Sequence, residues 1–238
     1  ILLILIKSIV APHTTTTWFN SPIGTQITST EQHKKELSSM LEELYARGLI
    51  YDVEIYKNCF LTSFYSLRKK AYKTFTIHGC RDERFDLFKL IEGRILIGYN
   101  NWNFDDGVIS HLLKHENISV RQLWEYSQTL INGEFNQYRY SCKFDSYDLL
   151  EVIRAGFNTI SLKNAGVNLK FPNIQDLPID FNKEISDDDL LALREYNIND
   201  IDITKSIFEH VRSQLEMREI LTEKHQLDLR SLSNSGLA

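Results

Sequence analysis

The stretch LIYDVEIYKNCFLTSFYSLRKKAYKTFTIHG, residues 49–79, decides the fold. Three runs within it, LIYDVEIY, CFLTSFYSL and KTFTIHG, are rich in β-branched and aromatic residues, and short polar breaks separate them. Runs of this composition are typical of strands, and breaks of this length suit hairpins. The stretch therefore predicts an antiparallel meander of three strands.

The residues after the meander predict helices and a buried strand. A helix is expected near residues 83–92, and RILIGYN is a short unbroken apolar run, typical of a strand covered on both faces. Helical patterns follow at 104–115, at 120–133 and in 138–156, where a strand leads into a helix. A final long helix is expected to begin at Ser186, with three aspartates in its first turn, where the helix dipole favours negative charge.

The composition predicts a globular protein. The 238 residues are 42% hydrophobic and 25% charged, and the formal net charge of −5 argues against a basic coat that binds nucleic acid through bulk electrostatics. The same charge leaves room for a local groove lined by lysines. Cys59, Cys80 and Cys142 have no metal-ligand or paired spacing, so we interpret them as reduced core thiols of a cytoplasmic protein.

We expect three segments along the chain. Residues 1–30 combine an apolar start, too short to span a bilayer, with a threonine-rich stretch typical of a loop, so we interpret them as an N-terminal appendage or linker and expect no membrane partner. Residues 31–215 are expected to form the compact domain, whose first helical pattern, at 29–48, ends at Gly48. Residues 216–238 are expected to form a C-terminal tail.

Two carboxylates lie in the first strand of the meander. Asp52 and Glu54 are two residues apart, so both point to the same face of the strand. A solvated strand face is one interpretation. Because Val53 and the flanking isoleucines favour a buried central strand, the other is a pair of like charges that a cation must neutralise.

Two further acidic positions lie beyond the meander. Asp105 falls where a helix follows RILIGYN, so it is either a helix cap or a ligand at the strand end, where open α/β sheets place their ligands. In REYNINDIDIT, residues 194–204, Tyr196 and Asp200 are one turn apart on one helix face. Asp202 is expected to face away from that site.

Four carboxylates and a tyrosine are the set expected of a site that holds two divalent cations. The predicted metal ligands are Asp52, Glu54, Asp105 and Asp200. Hard oxygen ligands suit Mg²⁺ or Mn²⁺, and two such ions clamp the attacking and leaving oxygens of a phosphoryl displacement.

This set resembles the 3′→5′ exonuclease superfamily whose active site is four carboxylates plus a tyrosine, in particular the proofreading domain of viral and phage family B DNA polymerases. The matching positions are Asp52 and Glu54 (Asp-x-Glu), Asn100 or Asn101 with Phe104 and Asp105 (Asn-x(2 or 3)-Phe/Tyr-Asp), and Tyr196 and Asp200 (Tyr-x-x-x-Asp). A sister class has histidine where this chain has Glu195, so the tyrosine class fits better. SYDLLEVI and SLKNAGVNL are also similar to segments of these polymerases.

The resemblance implies an α/β fold of the ribonuclease-H-like type, with a mixed sheet of an antiparallel meander plus parallel strands, flanked by helices. It implies that the four carboxylates bind two Mg²⁺ or Mn²⁺ ions and that Tyr196 orients the attacking water. It also implies that five residues contact single-stranded DNA: Asn101, Phe104, Ser161, Leu162 and Lys163. Many relatives have threonine where this chain has Ile55, so one hydroxyl that could touch the substrate is missing.

Three other polar or aromatic positions have simpler interpretations. Asp148 is interpreted as a helix N-cap in preference to a carboxylate that supports the metal ligands. His111 is interpreted as a surface or hydrogen-bonded histidine, and Trp102 as a wedge in the core in preference to a base-stacking platform.

The expected function is hydrolysis of the terminal phosphodiester at the 3′ end of single-stranded DNA, as in proofreading. The expected partners are that 3′ end and a polymerase domain on the same or another chain. One alternative is a stand-alone exonuclease of the same class that acts on DNA or RNA. The other is a non-catalytic module that binds single strands for a split polymerase.

Overall fold

The computed structural model describes residues 42–133, 142, 144–154, 160–227, 229 and 232. The predicted appendage at 1–30 and most of the predicted helix at 29–48 lie outside the described residues. The strands described are β1 (Gly48–Tyr56), β2 (Cys59–Ser66), β3 (Ala71–His78), β4 (Arg81–Asp82), β5 (Ile95–Gly98) and β6 (Asp145–Asp148). The helices described are α1 (42–47), α2 (Arg84–Ile91), α3 (Asp105–Lys114), α4 (Val120–Ile131), α5 (Leu149–Ile153), α6 (Leu162–Asn168) and α7 (Asp189–His225), with a 3₁₀ turn at Asn101–Asn103.

The described strands form one mixed sheet in the order β4-β3-β2-β1-β5-β6. Strands β1 to β4 pair antiparallel along the chain, whereas β5 lies parallel to β1 and β6 lies parallel to β5. The predicted meander is therefore confirmed. So is the expected fold class, a ribonuclease-H-like α/β arrangement of antiparallel and parallel strands flanked by helices.

Strand β1 is central, and its two faces pack against different helices. Tyr51 and the other odd-numbered apolar residues of β1 pack with α2, α3 and α4. Ile50, on the opposite face, packs with α7 through Ile201. Because side chains alternate along a strand, Asp52 and Glu54 lie on the α7 side of the sheet.

Helix α7 begins at Asp189, slightly later than the predicted start at Ser186. The N–H and the hydroxyl of Ser186 both donate to the Asp189 carboxylate, at 2.9 and 2.5 Å, and hold the preceding residues in a turn. The helix continues without a break past residue 215, so the predicted boundary between domain and tail falls inside it. Arg218 in this last part is buried, and its guanidinium donates to the carbonyl of Leu232 at 3.0 and 3.2 Å.

The three cysteines are free thiols in different environments. Cys59 is buried in β2, and Cys142 is half-buried. Cys80 is exposed because it follows Gly79, which has a φ of 57° in the turn between β3 and β4. The interpretation as a core thiol is therefore wrong for Cys80. Among the described helices, none combines the length and the apolar character that crossing a membrane requires.

Candidate metal centre

Three of the four predicted metal ligands converge between β1 and α7. One carboxylate oxygen from each of Asp52, Glu54 and Asp200 lies within 4.8 Å of the other two. Asp52 and Glu54 come from adjacent same-face positions of β1, and Asp200 comes from the face of α7 that covers them. We call these three residues the carboxylate cluster. It brings together side chains that are nearly 150 residues apart in the chain, whereas the spacing within each motif predicted only the face on which each side chain lies.

Asp105 lies beside the carboxylate cluster and outside the group of three. Strand β5 pairs with β1 only as far as Ile50, so the N–H of Val53 has no strand partner on that side. The Asp105 carboxylate accepts a hydrogen bond from this N–H at 3.1 Å, and its charge still acts on Asp52. Asp105 is the first residue of α3, so it is not the N-cap, a position that Phe104 occupies.

Gly98 determines how the chain reaches Asp105. A Cβ at Gly98 would lie 2.6 Å from the Cβ of Asn101, a distance that real side chains do not tolerate. Glycine at this position lets the 3₁₀ turn pack directly on the end of β5. Helix α3 begins two residues after this turn, and its first residue, Asp105, lies next to β1.

Asn197 is a member of the site that the sequence patterns missed. Its Nδ2 donates to Oδ2 of Asp52 at 2.7 Å, and its side chain is fully buried. Asn197 follows Tyr196 and precedes Asp200 by three positions, so it shares their helix face. That spacing was the available signal, because a buried amide at i−3 from a site carboxylate can reach the same space.

Burial and like charge raise the pKa values of the clustered carboxyls. Burial, followed by the charges of Asp200 and Asp105, raises the pKa of Glu54 to about 8. Burial and the charge of Asp105 also raise the pKa of Asp52 well above its ordinary value. Burial raises the pKa of Asp200 to about 6, against the opposing effects of its hydrogen bond with Tyr196 and of the charge of Lys163. A cation would relieve this repulsion.

Tyr196 and Lys163 lie against the Asp200 side of the carboxylate cluster. The Tyr196 hydroxyl lies close enough to the Asp200 carboxylate to lower its pKa, and the ammonium of Lys163 lies 4.8 Å from the centre of the Tyr196 ring. Lys163 also donates to the carbonyl of Gln175 and lies 3.9 Å from the carboxylate of Asp176. The positive charge of the Lys163 ammonium group thus lies on one side of the carboxylate cluster.

Two oxygens at this site are buried without a hydrogen-bond partner among the described residues. They are Oδ1 of Asp200 and Oδ1 of Asn197. Buried acceptors in this state are costly, and carboxylate and amide oxygens are the ligand type that Mg²⁺ and Mn²⁺ prefer. The donor set therefore fits a hard divalent cation.

The other residues predicted to bind single-stranded DNA each have contacts with different parts of the fold. Asn101 is buried and donates from Nδ2 to Oγ of Ser146 at 2.8 Å, whereas Phe104 is half-buried against the cluster of α2, α3 and α4. Ser161 is the N-cap of α6, and Leu162 packs against the α7 core. Their contacts with a single strand stay predictions.

Asp106, which the sequence patterns did not single out, is fully buried and hydrogen-bonded. It accepts from the Tyr51 hydroxyl and from Oγ of Ser146, the latter at 2.7 Å. Asp148 is the N-cap of α5, as predicted, because it accepts from the N–H of Leu150 at 3.0 Å. It also accepts from the N–H of Asn100 at 2.8 Å and so ties the 3₁₀ turn to β6.

The remaining interpretations have mixed outcomes. Asp202 accepts a hydrogen bond from the Tyr72 hydroxyl on β3 and is not part of the carboxylate cluster, as predicted. His111 is partly buried, and its ring stacks on the Tyr126 ring with 3.6 Å between the ring centres. Burial lowers the pKa of His111 to about 4. Trp102 is half-buried in the 3₁₀ turn and belongs to neither large core cluster.

No protein-family model, curated protein or solved structure matched this chain.

Proposed function

We propose that this protein is a metal-dependent 3′→5′ exonuclease that hydrolyses the terminal phosphodiester of single-stranded DNA. The observation that carries the proposal is the carboxylate cluster, in which three acidic side chains from β1 and α7 place oxygens within 4.8 Å of one another. Like charges at this separation, with two buried oxygens unpartnered among the described residues, favour a bound divalent cation.

Asp52, Glu54 and Asp200 would hold Mg²⁺ or Mn²⁺, with Asp105 completing the set for a second ion. When bound, the ions supply Lewis acidity and charge neutralisation for phosphodiester hydrolysis. Hydrolysis adds one water across the terminal linkage: the bond from phosphorus to the 3′ oxygen breaks, the new P–O bond comes from water, and the 3′ oxygen leaves as a hydroxyl. The products are a nucleoside monophosphate and a strand shorter by one nucleotide.

The Tyr196 hydroxyl, which acts on the pKa of Asp200, would orient the attacking water. Lys163, over the Tyr196 ring, would pair with a substrate phosphate. The resemblance of the three motifs to proofreading domains supports a single-stranded DNA 3′ end as the substrate, with a polymerase domain as the partner.

A binding module without catalysis is the second candidate. The specific observation in its favour is that Lys163 is already engaged by the carbonyl of Gln175 and by Asp176, which leaves less cationic charge for a scissile phosphate. Such a module would bind strands without cutting them.

The test is digestion of a 5′-labelled single-stranded DNA by the purified chain with Mn²⁺ or Mg²⁺. A ladder that shortens from the 3′ end, and that disappears in Asp52→Ala and with a chelator, is the expected result. An RNA of the same sequence, run in parallel, separates the DNA enzyme from one that accepts either polymer.

Asp202→Ala is the matched control for this assay. Asp202 lies on α7 near Asp200, but its carboxylate accepts from Tyr72 and not from the site. The Asp202→Ala variant should therefore digest DNA as the wild type does. Strand binding without any cleavage, in a folded protein supplied with Mn²⁺, would instead establish the binding module.

A further inference from the structure

Asn197 is placed to organise the carboxylate cluster. Its Nδ2 donates to Oδ2 of Asp52 at 2.7 Å. One buried amide therefore holds Asp52, whose carboxylate lies within 4.8 Å of those of Glu54 and Asp200. Neither the Asp-x-Glu nor the Tyr-x-x-x-Asp pattern specifies this residue.

The other end of the same amide has no partner. Oδ1 of Asn197 is buried and accepts no hydrogen bond from the described residues, and the same is true of Oδ1 of Asp200 three positions later. The oxygen and nitrogen of an amide share one carbon, so this oxygen also lies beside the carboxylates. A buried acceptor without a donor costs about 1–3 kcal/mol, which a cation or its bound water would offset.

Asparagine is the side chain that meets both requirements at this position. Aspartate would add a fourth negative charge to the carboxylate cluster and could not donate to Asp52 when ionised. Leucine has a similar size but neither donates nor accepts. The amide supplies a donor for the carboxylates and an acceptor for what they bind, without adding charge.

We propose that Asn197 is a positioning residue of the metal centre, an inference that rests on the function proposed above. Its Nδ2 holds Asp52 in the orientation in which it can share one cation with Glu54 and Asp200, and its Oδ1 accepts from water in the same space. Partners that orient metal ligands in this way typically change metal affinity by about 10- to 100-fold when they are removed.

The test compares Asn197→Leu with Asn199→Leu in titrations with Mn²⁺ alone, followed by electron paramagnetic resonance of the free ion. Asn199 is the matched control because it is also buried on α7 and also has an Oδ1 without a partner among the described residues. Its Nδ2, however, donates to the carbonyl of Asn173 at 2.9 Å, not to the carboxylate cluster. We expect Asn197→Leu to weaken Mn²⁺ binding by about 10-fold or more and Asn199→Leu by less than about 2-fold.

A second variant, Asn197→Ser, keeps a donor in a smaller side chain and covers the case in which leucine prevents folding. It should bind Mn²⁺ with an affinity between those of the wild type and Asn197→Leu. In kinetics, Asn197→Leu should lower kcat with the KM for the oligonucleotide unchanged, because the residue acts through the carboxylates and not on the strand.

Three outcomes would overturn the inference. If a folded Asn197→Leu protein binds Mn²⁺ with wild-type affinity, the inference about Asn197 is overturned and the proposed function is not affected. Equal losses in the two leucine variants show that Asn197 has only a packing role. A wild-type chain that binds no Mn²⁺ overturns the proposed function itself, and with it the inference.

Discussion

Two buried acidic regions lie on opposite faces of the central strand β1, and they are satisfied in different ways. On the α7 face, the carboxylate cluster places three acidic side chains within 4.8 Å, and Oδ1 of Asp200 is buried without a partner among the described residues. On the other face, Asp106 accepts from the hydroxyls of Tyr51 and Ser146, and the Asn101 amide donates to the same Ser146 hydroxyl. Each oxygen of the Asp106 carboxylate thus has a neutral donor, whereas each acid of the carboxylate cluster faces two others.

The difference separates a structural carboxylate from a ligand set. A buried carboxylate that is saturated by donors contributes to stability because its removal leaves those donors unpaired. Converging carboxylates oppose folding until a cation neutralises them. Mutation should therefore affect stability in the first region and metal binding in the second.

The largest expected effects come from truncating one acid in each region. Asp200→Ala should slow hydrolysis by about 1000-fold or more, because several kcal/mol of transition-state stabilisation depends on the cation. Its free energy of unfolding in the presence of a chelator should not fall, since a repelling charge is removed. Oligonucleotide digestion and urea denaturation measure the two quantities.

Asp106→Ala should give the opposite pattern. It leaves the Tyr51 and Ser146 hydroxyls without their acceptor and should lower the free energy of unfolding by about 3 kcal/mol. Its affinity for Mn²⁺ should stay within about 2-fold of the wild type, well short of the change from a lost ligand partner. If Asp106→Ala lost Mn²⁺ binding but kept the wild-type free energy of unfolding, the proposed difference between the two regions would be wrong.

A pair of tyrosines sharpens the comparison at a smaller scale. Tyr196 lies beside Asp200 of the carboxylate cluster and affects its pKa, whereas Tyr51 donates to Asp106. Tyr196→Phe should lower kcat by about 100-fold through a mispositioned water and spare Mn²⁺ binding. Tyr51→Phe should lower the free energy of unfolding by about 1.5–3 kcal/mol, the range for a buried hydrogen bond to a charged group, and leave kcat unchanged. Reduced Mn²⁺ affinity in Tyr196→Phe would show that the hydroxyl contributes to metal binding and contradict its role in orienting water.

Metal binding at the carboxylate cluster should also depend on pH. The pKa of Glu54 is raised to about 8 and that of Asp200 to about 6, so the metal-free site holds protons that a cation must displace. Affinity for Mn²⁺ should therefore rise between pH 6 and 8, by about tenfold per pH unit for each proton released. Calorimetry in buffers of different ionisation enthalpy measures the proton release.

Metal-free stability should change with pH in the opposite direction. Because the folded pKa values of Glu54 and Asp200 are raised above their unfolded values, the folded state binds more protons than the unfolded state between about pH 4 and 8. Their contribution to stability is complete below the unfolded pKa values and is lost as the pH rises through the folded ones. The Tm measured with a chelator should fall over this range, less steeply in Asp200→Ala, and saturating Mn²⁺ should remove the slope.

Local patterns were sufficient for most of the described elements and for the faces on which the carboxylates lie, but they did not predict β4 or α6. The period-2 runs at 49–79 predicted the meander, and the same period placed Asp52 and Glu54 on one face. The helical period placed Tyr196 beside Asp200. These inferences succeeded because each depends only on the geometry of one strand or one helix.

The hydrogen-bond roles of Asp105, Asp106 and Asn197 were out of reach of such patterns. Asp105 bonds the N–H of Val53 because β5 stops pairing with β1 at Ile50, a fact of sheet register. Asp106 finds its donors on β1 and at the start of β6. Each partner lies 40 or more positions away along the chain, and no local period encodes it.

The sequence by itself determined most of the strands and helices and the acidic residues of the candidate site, because side-chain alternation and residue composition are local properties. Tertiary structure alone decided which carboxylates share one space and which are held apart by hydrogen bonds. The physical reason is that solvation, like-charge repulsion and donor supply depend on every element packed around a group. Asp105 and Asp106 are adjacent in the chain, yet the first acts on the carboxylate cluster and the second is bound on the other face.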